Sequence, residues 1–115
     1  MRIKSEIWVK AYIRTCMGAD AFAGVVRRGD VDAGVILIKI SRLDGRADLF
    51  GPAPAGYSDA EGDGERRWMN WLENVPEADV EARLEQERRL DSDVWIVEVE
   101  SRSGRHFLDG WLATP

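Results

Sequence analysis

The sequence predicts an α+β fold: a mainly antiparallel sheet of five to six strands with two packed helices, in one compact domain over residues 1–115. Three observations carry that prediction. Residues 32–54 read as strand, tight turn, strand and rigid exit. Residues 5–19 and 75–89 space their apolar and charged side chains with a helical period. Residues 94–108 alternate around a second turn.

In the first stretch, AGVILIKISR over 33–42 puts Val35 and Leu37 on one face and Ile36, Ile38 and Ile40 on the other, because successive strand side chains alternate. Both faces are apolar, which marks a central strand covered on both sides. Asp44-Gly45 then reverses the chain through 43–46 into a second strand over 47–50. Gly51-Pro52-Ala53-Pro54 ends this hairpin, since two prolines fix φ and withhold amide donors.

Taken in order, residues 5–19 form a helix. Glu6, Lys10 and Arg14 make one narrow polar stripe, and Ile7, Trp8, Ala11, Tyr12 and Cys16 lie around the rest. Glu6 before Lys10 is the favourable i,i+4 order, worth a few tenths of a kcal/mol, so burial of the apolar arc must supply most of the stability. After Gly18 and Asp20, residues 21–27 read as a short apolar strand leading through Arg28-Gly29-Asp30 to the central one, giving a three-strand meander.

Residues 55–67 shift to Gly and acid and read as a mobile surface loop. Asp59, Glu61 and Asp63 before Gly64 imitate a calcium loop, but Asn70 stands where the bidentate glutamate belongs and Arg66 at the apolar position. WMNWL over 68–72 is read as a fourth strand whose tryptophans belong to the core. Asn74 and Glu77 then suggest a capping pair opening a second helix, with Pro76 in its first turn and Arg88-Arg89 at its end, matching the helix dipole. Its apolar stripe is thin, chiefly Val80 and Leu84, and pairs such as Arg83 with Glu87 and Glu85 with Arg89 line its charged back. Residues 94–99 and 105–108 close the chain as a second hairpin around Ser103-Gly104, followed by a tail carrying Trp111.

Composition narrows function. One cysteine, Cys16, excludes an internal disulfide and a Cys-based zinc site, and points to a reducing cytoplasm. No export signal and no apolar run near the ~20 residues of a membrane span is evident, so no membrane partner is expected. A net charge of −5 with dispersed basic residues argues against nucleic acid.

The runs KSEIWV, VRRGD followed by AG, RLDGRADLFGPAP and DVWIVEVESRSGRHFL, in this order, make residues 2–108 resemble domain-of-unknown-function family 1491, small alphaproteobacterial proteins. The resemblance implies a bacterial cytoplasmic protein with one α+β domain and carries no activity or catalytic residue. The family pattern has Pro between the two acids before the tryptophan, where this chain has Ser92, and it ends near Leu108, so the Trp111 tail lies outside it.

The residues themselves give no catalytic constellation, no metal site and no cofactor motif. Cys16 and His106 are single members of their kinds; a buried thiol acts as a small hydrophobe, and a lone strand His is structural. Three arginine clusters arise: Arg27 with Arg28, Arg42 with Arg46, and Arg102 with Arg105 beside His106. Arg28 and Arg42 fall at opposite ends of the central strand, so the three cannot all converge. The third is the anion-binding candidate, although Glu98 and Glu100 across the hairpin would pair with its arginines more simply. The preferred reading is a non-enzymatic cytoplasmic interaction or regulatory module with an unknown protein partner. The alternative is a small-molecule or anion-binding protein, or an enzyme, using Arg102, Arg105 and His106. A homodimer is expected as well: two helices on one face would leave the other face needing a lid, and the Trp111 tail could anchor on the partner.

Overall fold

The computed structural model describes residues 2–54 and 65–113. Most of the expected 55–67 loop, including Asp59, Glu61, Asp63 and Gly64, lies outside the described residues. The elements run α1 (Ser5–Gly18), β1 (Ala23–Arg27), β2 (Ile36–Ser41), β3 (Arg46–Pro52), β4 (Trp68–Pro76), α2 (Glu77–Leu90) and β5 (Trp95–Glu100). The five strands form one sheet in the order β1-β5-β2-β3-β4, mostly antiparallel with one parallel pair, β2 with β5.

β2 is the central strand, with all six residues buried. Ile36, Ile38 and Ile40 enter the core under α1 with Trp8, Val9, Tyr12, Trp68 and Val97, while Leu37 joins Leu49, Val80, Leu84 and Ile96 under α2. Each such aliphatic side chain contributes about 1.5–3 kcal/mol on leaving water. The β2–β3 hairpin turns with Leu43 and Gly45 at positive φ, 64° and 88°, while the Asp44 carboxylate accepts the Arg46 amide. The second left-handed residue of the turn is thus Leu43, because Asp44 serves the turn through its side chain instead.

The meander is not observed. β5 is inserted between β1 and β2, antiparallel to the first and parallel to the second. The chain order explains the direction: β3 and β4 each reverse, and α2, starting directly after Pro76, reverses once more, so β5 runs the same way as β2. The connection between β1 and β2 arches over the start of β5. The Asp30 amide donates to the Asp93 carbonyl at 3.0 Å, and the Trp95 indole donates to the Asp30 carbonyl at 2.7 Å. Gly29 and Gly34 lie so close to the Asp93 carbonyl that neither has room for a Cβ.

The closing hairpin is not observed either. With both edges of β5 occupied, no partner remains for a strand at 105–108; the chain turns at Gly104 (φ 74°), passes Phe107 at φ 58° and crosses the α1 face, burying Phe107 and Leu108. Five strands therefore form among the described residues. Asn74 does not cap α2. It sits in β4 at φ 50°, where its side chain and carbonyl accept from Arg46, and α2 begins at Glu77 with no side-chain cap.

α1 differs from expectation in its arc. No side chain caps it; the Asp32 and Val31 carbonyls accept the Ser5 and Glu6 amides. Its buried face is Ser5, Trp8, Val9, Tyr12 and Cys16, whereas Ile7 and Met17 are exposed. Arg66, expected in a surface loop, is buried and donates to the Ile3 carbonyl and the Ser5 hydroxyl. The two helices cover opposite faces, so the premise of a bare face needing a lid fails. Trp111 packs edge-on against Trp8 of the same chain, with ring centroids 5.3 Å apart.

One ionic cluster ties α2 down. Lys39, 3% exposed, points from β2 to the α2 side and meets Glu77 at 2.7 Å, Glu81, and Glu98 of β5 at 3.4 Å. Burial by itself would lower the ammonium pKa, but the hydrogen bonds from Glu77 and Glu81 and the Glu98 charge outweigh it and raise the value. Lys39→Met should destabilise the protein by roughly 2 kcal/mol in urea unfolding, less than a fully buried pair because the three acids can rehydrate. A folded pKa above the unfolded value of about 10.4 means the ionic contribution is complete below that value and lost only as pH rises through the folded one. The difference between parent and variant should therefore stay flat between about pH 7 and 9; a steep change in that window contradicts the assignment.

Candidate functional site

The segment after β5 builds a concave site. The Ser101 amide donates to the Ser41 carbonyl, and the Gly104 amide closes a turn onto Ser101. From there the chain is held across the α1 face by the Tyr12 hydroxyl, which donates to the His106 carbonyl at 2.6 Å. It then reaches the outer edge of β4, where the Trp68 amide donates to the Trp111 carbonyl at 2.8 Å and the Ala113 amide to the Trp68 carbonyl at 2.7 Å. The result is a pocket of about 320 Å³. Phe50, Trp68, Met69 and Leu112 give it apolar surface, and Asn70, Glu73, His106 and Ala113 complete the lining.

The His106 imidazole lies edge-on to Phe50, ring centroids 5.3 Å apart, and its Nδ1 accepts the Leu108 amide at 2.8 Å. An Nδ1 that accepts leaves the ring proton on Nε2. Asn70 gives its side-chain amide to the Leu49 and Leu72 carbonyls, at 3.3 and 3.0 Å. Among the described residues no lysine or arginine lines the pocket, and the one carboxylate there is Glu73.

The predicted trio is distributed around this segment. Arg102 is exposed in the turn, the Arg105 guanidinium stacks 4.4 Å from the Phe107 ring centroid, and His106 faces the pocket. Glu98 is committed to Lys39. The second and third arginine clusters adjoin, because the Arg42 guanidinium packs on Gly104; yet Arg42 is already held bidentately by Asp48 at 2.8 and 2.9 Å, a contact that raises its pKa. At the other end of the sheet Arg28 pairs with Glu6 and lies over the Trp95 ring, and Arg27 donates to the Ser92 carbonyl.

Cys16 and His106 form no dyad. The Cys16 thiol is fully buried in the core with Tyr12, and burial pushes its pKa up, against the need of a nucleophile. Tyr12, also raised by burial, meets His106 at its main-chain carbonyl, away from the imidazole.

A second surface is built by the fold. β1 is an edge strand with a bulge at Val26, which breaks alternation, and Phe22, Val25 and Val26 are 62%, 45% and 61% exposed. Residues 21–27 were legible as an apolar strand, but their position at the edge was not, since it follows from the insertion of β5. Asn70 and Glu73 were likewise missed as pocket residues; the only signal for them was a polar interruption in the WMNWLEN run.

A family model described as protein of unknown function (DUF1491) matches residues 3–109. A crystal structure of a DUF1491 family protein from Caulobacter crescentus CB15 superposes with a TM-score of 0.77 at 44% identity, covering 92% of this chain and 94% of that one. A solution structure of an A. tumefaciens protein gives 0.76 at 44% identity, covering 88% of this chain and 87% of that one. No curated protein matches the chain.

With its thiol buried and its pKa raised, Cys16 should resist a thiol-specific chromogenic reagent in native buffer and react stoichiometrically in denaturant. Rapid native labelling, on the scale of a free surface thiol, contradicts this placement.

Proposed function

The chain belongs to the DUF1491 family, whose function is unknown, and on that premise we propose that it is a small non-enzymatic interaction module of the bacterial cytoplasm that assembles as a homodimer through the open edge of β1. The observation that carries this reading is the edge itself, with Phe22, Val25 and Val26 beside main-chain groups that have no described strand on their outer side. The opposite edge is different in kind: the start of β4 is overlaid by residues 111–113, and farther along it bears Glu73 and Asn74.

A second copy suits the edge because antiparallel pairing about a two-fold axis at Gly24 sets Phe22 of each protomer opposite Val26 of the other. The Phe22 ring already leans over Gly24, where no side chain competes for that space. β1 is short and bulged, so the contact belongs to the small class of interfaces and a micromolar dissociation constant is expected. The lone unpaired cysteine suits a reducing compartment, and no described helix is long and apolar enough to cross a membrane. The anion-binding alternative at Arg102, Arg105 and His106 has weaker support, since Arg105 is stacked on Phe107 and His106 faces a pocket with no lysine or arginine among its described residues.

Light scattering across a concentration series should show a mass rising from monomer to dimer over tens of micromolar, as a small interface implies. Val26→Lys, which places a charge on the seam, should return the monomer with an unchanged melting temperature. A monomeric mass throughout, or a dimer indifferent to both Val26→Lys and Phe22→Asp, rules out this interface.

A further inference from the structure

We propose that the pocket between β4 and the C-terminal segment binds an amino-substituted nitrogen heterocycle of nucleobase size. Its volume, about 320 Å³, is at the lower end for small-molecule sites and accommodates one or two fused rings. Phe50, Met69 and Leu112 offer aromatic, thioether and aliphatic surface for a flat apolar ligand face.

The polar groups define the edge that such a ring must present. His106 donates into the pocket through Nε2–H, because Nδ1 is occupied by the Leu108 amide, and no described residue accepts that proton. Asn70 has both amide hydrogens committed to main-chain carbonyls, so the group it has left to offer is its Oδ1, an acceptor. Glu73 adds a carboxylate, also an acceptor. The site thus asks for hydrogen-bond donors on one part of the ligand and a lone pair on another, which an exocyclic amine beside a ring nitrogen supplies. An oxo group in place of the amine would face Asn70 and Glu73 acceptor to acceptor, losing those hydrogen bonds.

Charge points away from phosphate-bearing ligands. Arg42 is near enough to feel Glu73, but its guanidinium is held bidentately by Asp48, so the local sum of Asp48, Glu73 and Arg42 remains negative. Two of the lining residues, Leu112 and Ala113, lie beyond residues 3–109, the span of the family match.

The test is a titration of the isotope-labelled full chain followed by amide chemical shifts, using adenine, hypoxanthine, adenosine and adenosine monophosphate as probes. Adenine should give saturable shifts at Asn70, Glu73, His106 and Leu112, with hypoxanthine about tenfold weaker and the monophosphate no tighter than adenosine. His106→Phe and Glu73→Ala should each weaken adenine several-fold. Ala113→Trp, which fills the pocket while leaving the His106–Leu108 bond in place, should abolish saturation and serves as the control if His106→Phe fails to fold. No saturable shift at about 10 mM adenine, equal binding of hypoxanthine, tighter binding of the monophosphate, or persistence of binding in Ala113→Trp would overturn the assignment.

Discussion

The parallel ladder between β2 and β5 is the interaction on which the rest of the structure depends, because it joins the last strand of the chain to the most buried one. Once it forms, every residue of β2 is enclosed: β3 on one side, β5 on the other, α1 above and α2 below. It also decides the fate of both chain ends. β1 can pair only on the far side of β5, which makes it an edge, and the residues after β5 can join no further strand beside it, which sends them across the α1 face to build the pocket wall. The two surfaces singled out here are therefore consequences of one insertion.

The two faces of the sheet are covered by different physics. Beneath α1, aromatic rings stack in a continuous row, Tyr12 on Trp8 at 5.0 Å and Trp8 on Trp68 at 4.2 Å, with the Trp111 tail closing the row. Beneath α2 the apolar stripe is narrow, and the helix is fixed by Lys39 gripping Glu77 and Glu81 at its first turns and by Arg83, which lies 4.4 Å over the Trp71 ring. α2 thus packs over β3 and β4 and leaves β1 beyond its reach. The exposure of Phe22 and Val26 follows from that offset.

Much of this was legible in the sequence, and what was missed has a common cause. The central strand, its hairpin, both helices and the core tryptophan Trp68 are local signals, fixed by alternation, turn chemistry and helical spacing. The order of strands is not local. Residues 21–27 and 33–42 read as neighbours because a short connection favours adjacent pairing, and nothing in either run reveals that β5, over fifty residues later, is the better partner for both. The glycines at 29 and 34 were the trace of it, since they are the positions where the arching connection must touch the Asp93 carbonyl. Asn74 misled for a related reason: an Asn three residues before Glu77 has the chemistry of a cap, but here that chemistry serves Arg46 on the neighbouring strand.

The same locality limit explains why the candidate site was only half visible. His106 stood out as the single histidine, and sequence proximity grouped it with Arg102 and Arg105. In three dimensions its neighbours are Phe50 of β3 and Asn70 and Glu73 of β4, none of them close in sequence. The change of company reverses the chemistry. Beside arginines the imidazole would help to bind an anion; beside Asn70 and Glu73, with Nδ1 committed to the Leu108 amide, it is a lone donor among acceptors. The backbone bond at Leu108 is thus what turns a residue type common to many sites into one with a definite polarity, and it exists only because the chain was denied a place in the sheet and had to turn at Phe107 instead.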